Sequence, residues 1–238
     1  MIPLRSSERT YSPATVTIAL IAINLAVFFY EFFFLPDVHY RDPFTGQVIA
    51  SKLDTMVMHY GLVPDQFSTH PYSLLTSMFL HAGWLHVLGN MWFLWIFGKA
   101  VEDHLGHTRF LVFYLVCGVA AGLVHVYASM YAGSTTVPTV GASGAIAGVM
   151  GAYLIKFPRA RVVTLIVVVI FITTVDIPAA FLLIYWFLIQ FYSGVGSLHD
   201  ASESGGGVAW FAHIGGFVAG MLLIALMPMR RRFQRWYP

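Results

Sequence analysis

Residues 162–196 read VVTLIVVVIFITTVDIPAAFLLIYWFLIQFYSGVG, and the number of times that stretch crosses a bilayer decides the fold. One helical crossing takes about 20 apolar residues. Asp176 and Pro178 split the stretch into a short piece, 162–175, and a full span, 179–196. Outward from it, further apolar runs cover 14–35, 86–101, 110–130 and 210–227. Another begins near Ser143 and ends before Lys156, short enough to start below the membrane surface. Residues 36–74 are too interrupted by Pro, Gly and charge to cross.

Charge chooses between six spans and seven. With six spans and the amino terminus inside, Arg5, Arg9, Lys99, Arg109, Lys156, Arg159, Arg161, Arg230, Arg231, Arg232 and Arg235 all lie inside. That is eleven of the thirteen Lys and Arg residues, with only Arg41 and Lys52 outside. A seventh span at 162–175 would put the four C-terminal arginines outside, against the positive-inside rule. The expectation is an all-α membrane protein, a six-transmembrane-helix bundle with a long, partly structured first loop. Residues 162–175 are then interfacial or partly buried against the bundle. With no internal repeat, the chain reads as one domain over 1–238, its core about 14–228, with short cytoplasmic tails at both ends.

Composition agrees. The 238 residues are 58% hydrophobic and 10% charged, with mean hydropathy +0.73, whereas a soluble domain carries roughly 25% charged residues. Such a chain cannot cover itself with a polar surface. A secreted protein with one signal peptide is excluded because the apolar runs recur along the whole length. The single cysteine, Cys117, rules out a disulfide framework and reads as a small buried hydrophobe.

In this topology spans two, four and six all run from outside to inside. Their N-terminal ends carry His81 and His86, then Ser143, then His213, so polar residues of three helices share one level. Polar groups inside a membrane are costly and mark functional sites.

Gly141-Ala142-Ser143-Gly144 opens the fourth span just after a polar loop. The first turn of a helix has N–H groups without intrahelical partners, suited to a developing oxyanion. The tetrapeptide alone is equally an N-capping serine in a glycine-rich contact. Ala145 also distinguishes it from the G-x-S-x-G elbow of soluble hydrolases. Gly144, Gly148 and Gly151 then follow small-residue spacing, as do Gly216 and Gly220 on the sixth span, with His213 three residues before Gly216. Such faces let helix backbones approach closely in lipid. If they meet, Ser143 meets His213 as a nucleophile–base pair. The alternative is that both motifs only pack. No Asp or Glu stands at a matching position, so a dyad is expected rather than a triad.

His81-Ala82-Gly83-Trp84-Leu85-His86 precedes Asn90. His86 and Asn90, four apart, share a helix face, and an Asn side chain can donate to an oxyanion. Zinc is the rival reading, but there is no H-E-x-x-H and no cysteine cluster. His81 reads as a loop-to-helix anchor.

These motifs, with Ala212-His213-Ile214-Gly215-Gly216 and Gly220, resemble the signature of rhomboid intramembrane serine proteases. The likeness runs from about residue 74 to 227 and includes Leu74-Leu75-Thr76, Phe79-Leu80-His81, Gly98, Glu102, Trp186 and Gln190. It implies Ser143 as nucleophile and His213 as base, with His86, Asn90 and the Ser143 N–H as oxyanion donors. His81, Gly141, Gly144, Gly216 and Gly220 would be structural near the site, and Trp186 and Gln190 a possible substrate gate. The implied substrates are single-pass transmembrane proteins cut near the outer membrane face, with no cofactor, metal or nucleic acid. Two departures stand out. The first loop lacks a Trp-Arg pair, Tyr40-Arg41 being nearest. Ala147 replaces the aromatic residue that many members stack on the catalytic histidine, so His213 must be oriented from elsewhere.

The rival classes are a rhomboid-like pseudoprotease that binds helices without cutting them, and a small transporter. Loss of Ser143 or His213 would favour the first. Charged spans or an inverted repeat would favour the second, yet apart from Lys99 at the inner end of its run only Glu31 lies within a span. Glu102 and Asp103 read as structural, and Arg230–Arg232 as a topology anchor. The lack of an added soluble domain or targeting segment points to a prokaryotic plasma membrane.

Overall fold

The computed structural model describes residues 2–35, 38–41, 48–51, 53–168, 171–197 and 209–227. The anchor at Arg230–Arg232, with Arg235 and Lys52, lies outside the described residues. The elements run β1 (Ile2–Ser6), α1 (Thr15–Phe34), β2 (Val38–Arg41), β3 (Val48–Ser51), α2 (Leu53–Tyr60), α3 (Ser73–Thr76), α4 (Trp84–Phe93), α5 (Lys99–Leu105), α6 (His107–Ala132), α7 (Ser143–Lys156), β4 (Arg161–Val168), β5 (Phe171–Pro178), α8 (Ala179–Ser197) and α9 (Trp210–Leu226). A π-helical turn, Leu94–Gly98, joins α4 to α5.

The protein is a mostly helical bundle of apolar helices. Among the described residues α1, α6 and α8 are long and apolar enough to cross a membrane, and α7 and α9 are shorter apolar helices. Helix α7 is central: every residue from Gly144 to Tyr153 is buried, as its all-round apolar sequence requires. It packs against α9 and α6, while α8 lies at the periphery against α9.

The start of α1 shows how distant residues fix an element. Its N-cap, Ala14, offers no side-chain acceptor, so the free N–H groups of the first turn need partners from elsewhere. Glu102 of α5 supplies them, accepting from Val16 N and Thr17 N at 2.8 Å each and from Thr17 Oγ1 at 2.6 Å. Asp103 accepts from Ser12 N at 3.0 Å and from Tyr11 N at 3.3 Å. A carboxylate at a helix N-terminus also complements the helix dipole.

Residues 162–168 and 171–175 are strands, a departure from the expected all-α bundle. They lie in β4 and β5, which pair antiparallel from Arg161 with Pro178 to Val168 with Phe171. β1 pairs antiparallel with β4, Ile2 opposite Leu165, giving a sheet of order β1-β4-β5. The run is rich in Val, Ile and Thr, which favour strands, and the amino-terminal residues provide the partner. Val162 and Thr164 are buried, whereas residues 172–176 on the outer strand are exposed. The first loop carries the β2–β3 hairpin, α2 and a 3₁₀ turn at Pro64–Gln66.

Candidate active site

The N-terminal ends of α4, α7 and α9 converge. Ser143 is the first residue of α7, with Ala142 at the N-cap position and no side-chain cap there. The Ser143 hydroxyl is instead turned to α9, where its Oγ lies 2.8 Å from His213 Nε2. This separates it from the capping alternative. Ser143 and His213 are half-buried, and each sits in the first turn of its helix.

Glycine contact sets that separation. A Cβ on Gly216 would stand 2.0 Å from the Gly144 carbonyl oxygen, and one on Gly220 would stand 1.9 Å from that of Gly148. Gly151 faces the Phe217 carbonyl oxygen in the same way, at 2.2 Å. The two small-residue faces therefore meet main chain to main chain.

The third set comes from α4. Asn90 is 8% exposed, and its Nδ2 donates to His81 Nε2 at 3.0 Å. One hydrogen of that amide is thus held by a fully buried histidine, and the other remains for a ligand. The His86 ring lies 5.1 Å from that of His81. Gly141 faces both side chains: a Cβ there would be 2.7 Å from His86 Nε2 and 3.5 Å from Asn90 Nδ2. Its φ of +125° favours glycine independently. Gly141 N donates to Ser77 O at 2.8 Å, tying the loop to the segment before α4.

Trp186 and Gln190, considered above as a gate, both meet His213. Gln190 is 6% exposed, with its Oε1 2.6 Å from His213 Nδ1. The Trp186 and His213 rings are 5.7 Å apart at 39°. Sequence reasoning passed over His125 of α6, whose Nε2 pairs with Thr139 Oγ1 at 2.7 Å. A cavity of about 30 Å³ beside Ser143 is walled partly by His125, Thr139, Ser77 and Met78. A histidine inside the apolar run of α6 was the available signal. Among the described residues no group of three His, Cys, Asp or Glu side chains could hold a metal ion.

The family model of the Rhomboid domain matches residues 68–230, which include all of these groups. The chain belongs to the rhomboid family. Rhomboid protein 1, mitochondrial, of Saccharomyces cerevisiae is 29% identical over 151 residues, 63% of this chain and 39% of that protein. Rhomboid protease GluP of Bacillus subtilis is 41% identical over 83 residues, 35% of this chain and 15% of its own. The human presenilin-associated rhomboid-like protein, mitochondrial, is 35% identical over 101 residues, 40% of this chain and 26% of its own. The chain spans less than half the length of these curated relatives. The rhomboid family includes serine proteases that act on transmembrane substrates within the bilayer. The protein is accordingly an integral, multi-pass membrane protein. Mitochondrial names among the relatives leave the expected prokaryotic plasma membrane without support.

Proposed function

We propose that this rhomboid is an intramembrane serine endopeptidase that cuts single-pass transmembrane proteins near the outer face of its membrane. The observation that carries the reading is the 2.8 Å contact between Ser143 Oγ and His213 Nε2. A serine becomes a useful nucleophile only beside a base that takes its proton.

In the proposed reaction Ser143 Oγ gives its proton to His213 Nε2 and bonds to the scissile carbonyl carbon. The negative charge moves to the carbonyl oxygen, where Asn90 Nδ2, His86 and the Ser143 N–H donate to it. Collapse breaks the C–N bond, and His213 returns the proton to the departing amine. Water then attacks the acyl carbon as His213 takes its proton. The ester C–O bond breaks, and Ser143 recovers its hydrogen from the imidazole. The substrate helix must unwind at the cut, and residues with weak helix propensity there lower that cost.

A fluorophosphonate probe tests the reading on the purified protein in detergent, with Ser143→Ala and His213→Ala alongside. Labelling present in the wild type and lost in both variants is expected. An unlabelled wild type that also leaves a reconstituted transmembrane substrate intact would overturn it in favour of helix binding without cleavage.

A further inference from the structure

We propose that Gln190 of α8 is a positioning residue for His213, holding the imidazole in the tautomer that Ser143 needs, with Trp186 covering one face of the ring. The inference rests on the Ser143–His213 reading above and adds to it a third, uncharged member drawn from a different helix.

The argument follows from donor and acceptor chemistry. The amide oxygen of Gln190 can only accept, and it lies 2.6 Å from His213 Nδ1. Nδ1 therefore carries the hydrogen. In a neutral imidazole the other nitrogen is then the acceptor, and that nitrogen is the one 2.8 Å from Ser143 Oγ. A serine base in the opposite tautomer would point an N–H at the hydroxyl and could not take its proton.

Orientation is fixed along with the tautomer. Trp186 lies one turn before Gln190, so both side chains leave α8 on one face. The Trp186 ring approaches His213 at 5.7 Å, and Trp210 meets it nearly edge-on at 6.5 Å and 89°. Both imidazole nitrogens are thus engaged, and two indoles limit rotation of the ring. Ala147, on α7, is too small to do this. The rotation of α8 that presents these residues is set against α9, where Phe187 stacks on Phe217 at 4.9 Å. Gly194 lets Trp210 and Ile214 come close.

Among the described residues, the ionisable groups that act on His213 are His86 of α4 and His125 of α6. Both would oppose an imidazolium when protonated. Gln190 supplies an oriented dipole toward the positive ring without burying a further charge.

The test is kcat and KM against pH for full-length Gln190→Met and Gln190→Glu, on a reconstituted transmembrane substrate. Gln190→Met keeps length and removes the acceptor. Loss of tautomer control in a charged triad has cost about 10⁴ in kcat. For this neutral pair, kcat falling about tenfold or more with KM little changed is expected. Gln190→Glu keeps the acceptor and adds a charge. It should restore much of kcat and move the acid limb of kcat/KM to higher pH by about one unit or more, as a nearby opposite charge does. A Gln190→Met protein with wild-type kcat and pH profile would overturn the inference while leaving the dyad intact. Should Gln190→Met fail to fold, Gln190→Glu decides alone, since an unmoved acid limb overturns it. Failure of the underlying reading looks different, with the wild type itself neither labelled nor active.

Discussion

Gly216 lies against Gly144 so closely that a Cβ on it would stand 2.0 Å from the Gly144 carbonyl oxygen. No side chain stands between the two helices at this point that could repack to make room. Gly216→Ala and Gly220→Ala should therefore push α7 and α9 apart and lengthen the Ser143–His213 contact. Overpacking costs about 1–3 kcal/mol, and backbone as the clashing partner places these variants at or above that range. Melting in detergent and fluorophosphonate labelling should both fall. Gly196→Ala, with nothing within 4 Å of its added Cβ, should leave both unchanged.

Gly141 and Gly133 separate backbone strain from site geometry. Both have positive φ, +125° and +73°. Alanine at Gly133 meets nothing within 4 Å, so Gly133→Ala should lose only the left-handed backbone cost of about 1–2 kcal/mol and keep its activity. Alanine at Gly141 would press on His86 Nε2 at 2.7 Å. Gly141→Ala should lower kcat by about 100-fold or more, the scale of one lost oxyanion donor. Activity normalised to folded protein distinguishes the two.

In the proposed reaction His81 acts through Asn90. Removing an oxyanion donor costs about 10²–10³ in kcat, so Asn90→Ala should fall in that range with KM little affected. His81→Leu removes the acceptor that holds Asn90 Nδ2 at 3.0 Å and should cost less. The double variant should be no worse than Asn90→Ala. Additive losses would show that His81 works independently of Asn90.

Glu102, beyond the span at 86–101, governs an acid-sensitive contribution to stability. Burial pushes its carboxyl pKa up, but hydrogen bonds from Thr17, His107 and the Val16 and Thr17 N–H groups outweigh it and hold the pKa below the ordinary 4.5. A depressed folded-state value means that the stabilisation is fully present above the unfolded value and is lost as pH falls through the folded one. Glu102→Gln should cost about 1.5–3 kcal/mol at neutral pH, the usual worth of a hydrogen bond to a charged group. Thermal midpoints of wild type and variant should converge as pH falls below 4.5. A gap that does not shrink at all below that pH would rule this account out.

Much of the bundle was legible because a bilayer imposes length. The runs 14–35, 179–196 and 210–227 correspond to α1, α8 and α9 almost to the residue, and the glycine spacing on α7 and α9 marked the faces that meet. Residues 162–175 were not legible. A short apolar run looks alike as helix or strand, and what decided it was pairing with Ile2–Ser6, a partner far away in sequence. The contacts of Trp186 and Gln190 with His213 were not legible for a related reason. Their four-residue spacing put them on one face of α8, but spacing cannot tell which way a helix is rotated. Stacking of Phe187 on Phe217 sets that, and it brings both side chains to His213.

The β1–β4 pairing also bears on biogenesis. Ile2 sits opposite Leu165, so β1 has no partner until the chain has grown past four helices of the bundle. At 5–20 residues per second that is a wait on the order of 10 s, with β1 unpaired while α1, α4, α6 and α7 are delivered to the membrane. Closing the sheet then becomes a late step of assembly. It joins β1 to the hairpin leading into α8, the helix that carries Trp186 and Gln190.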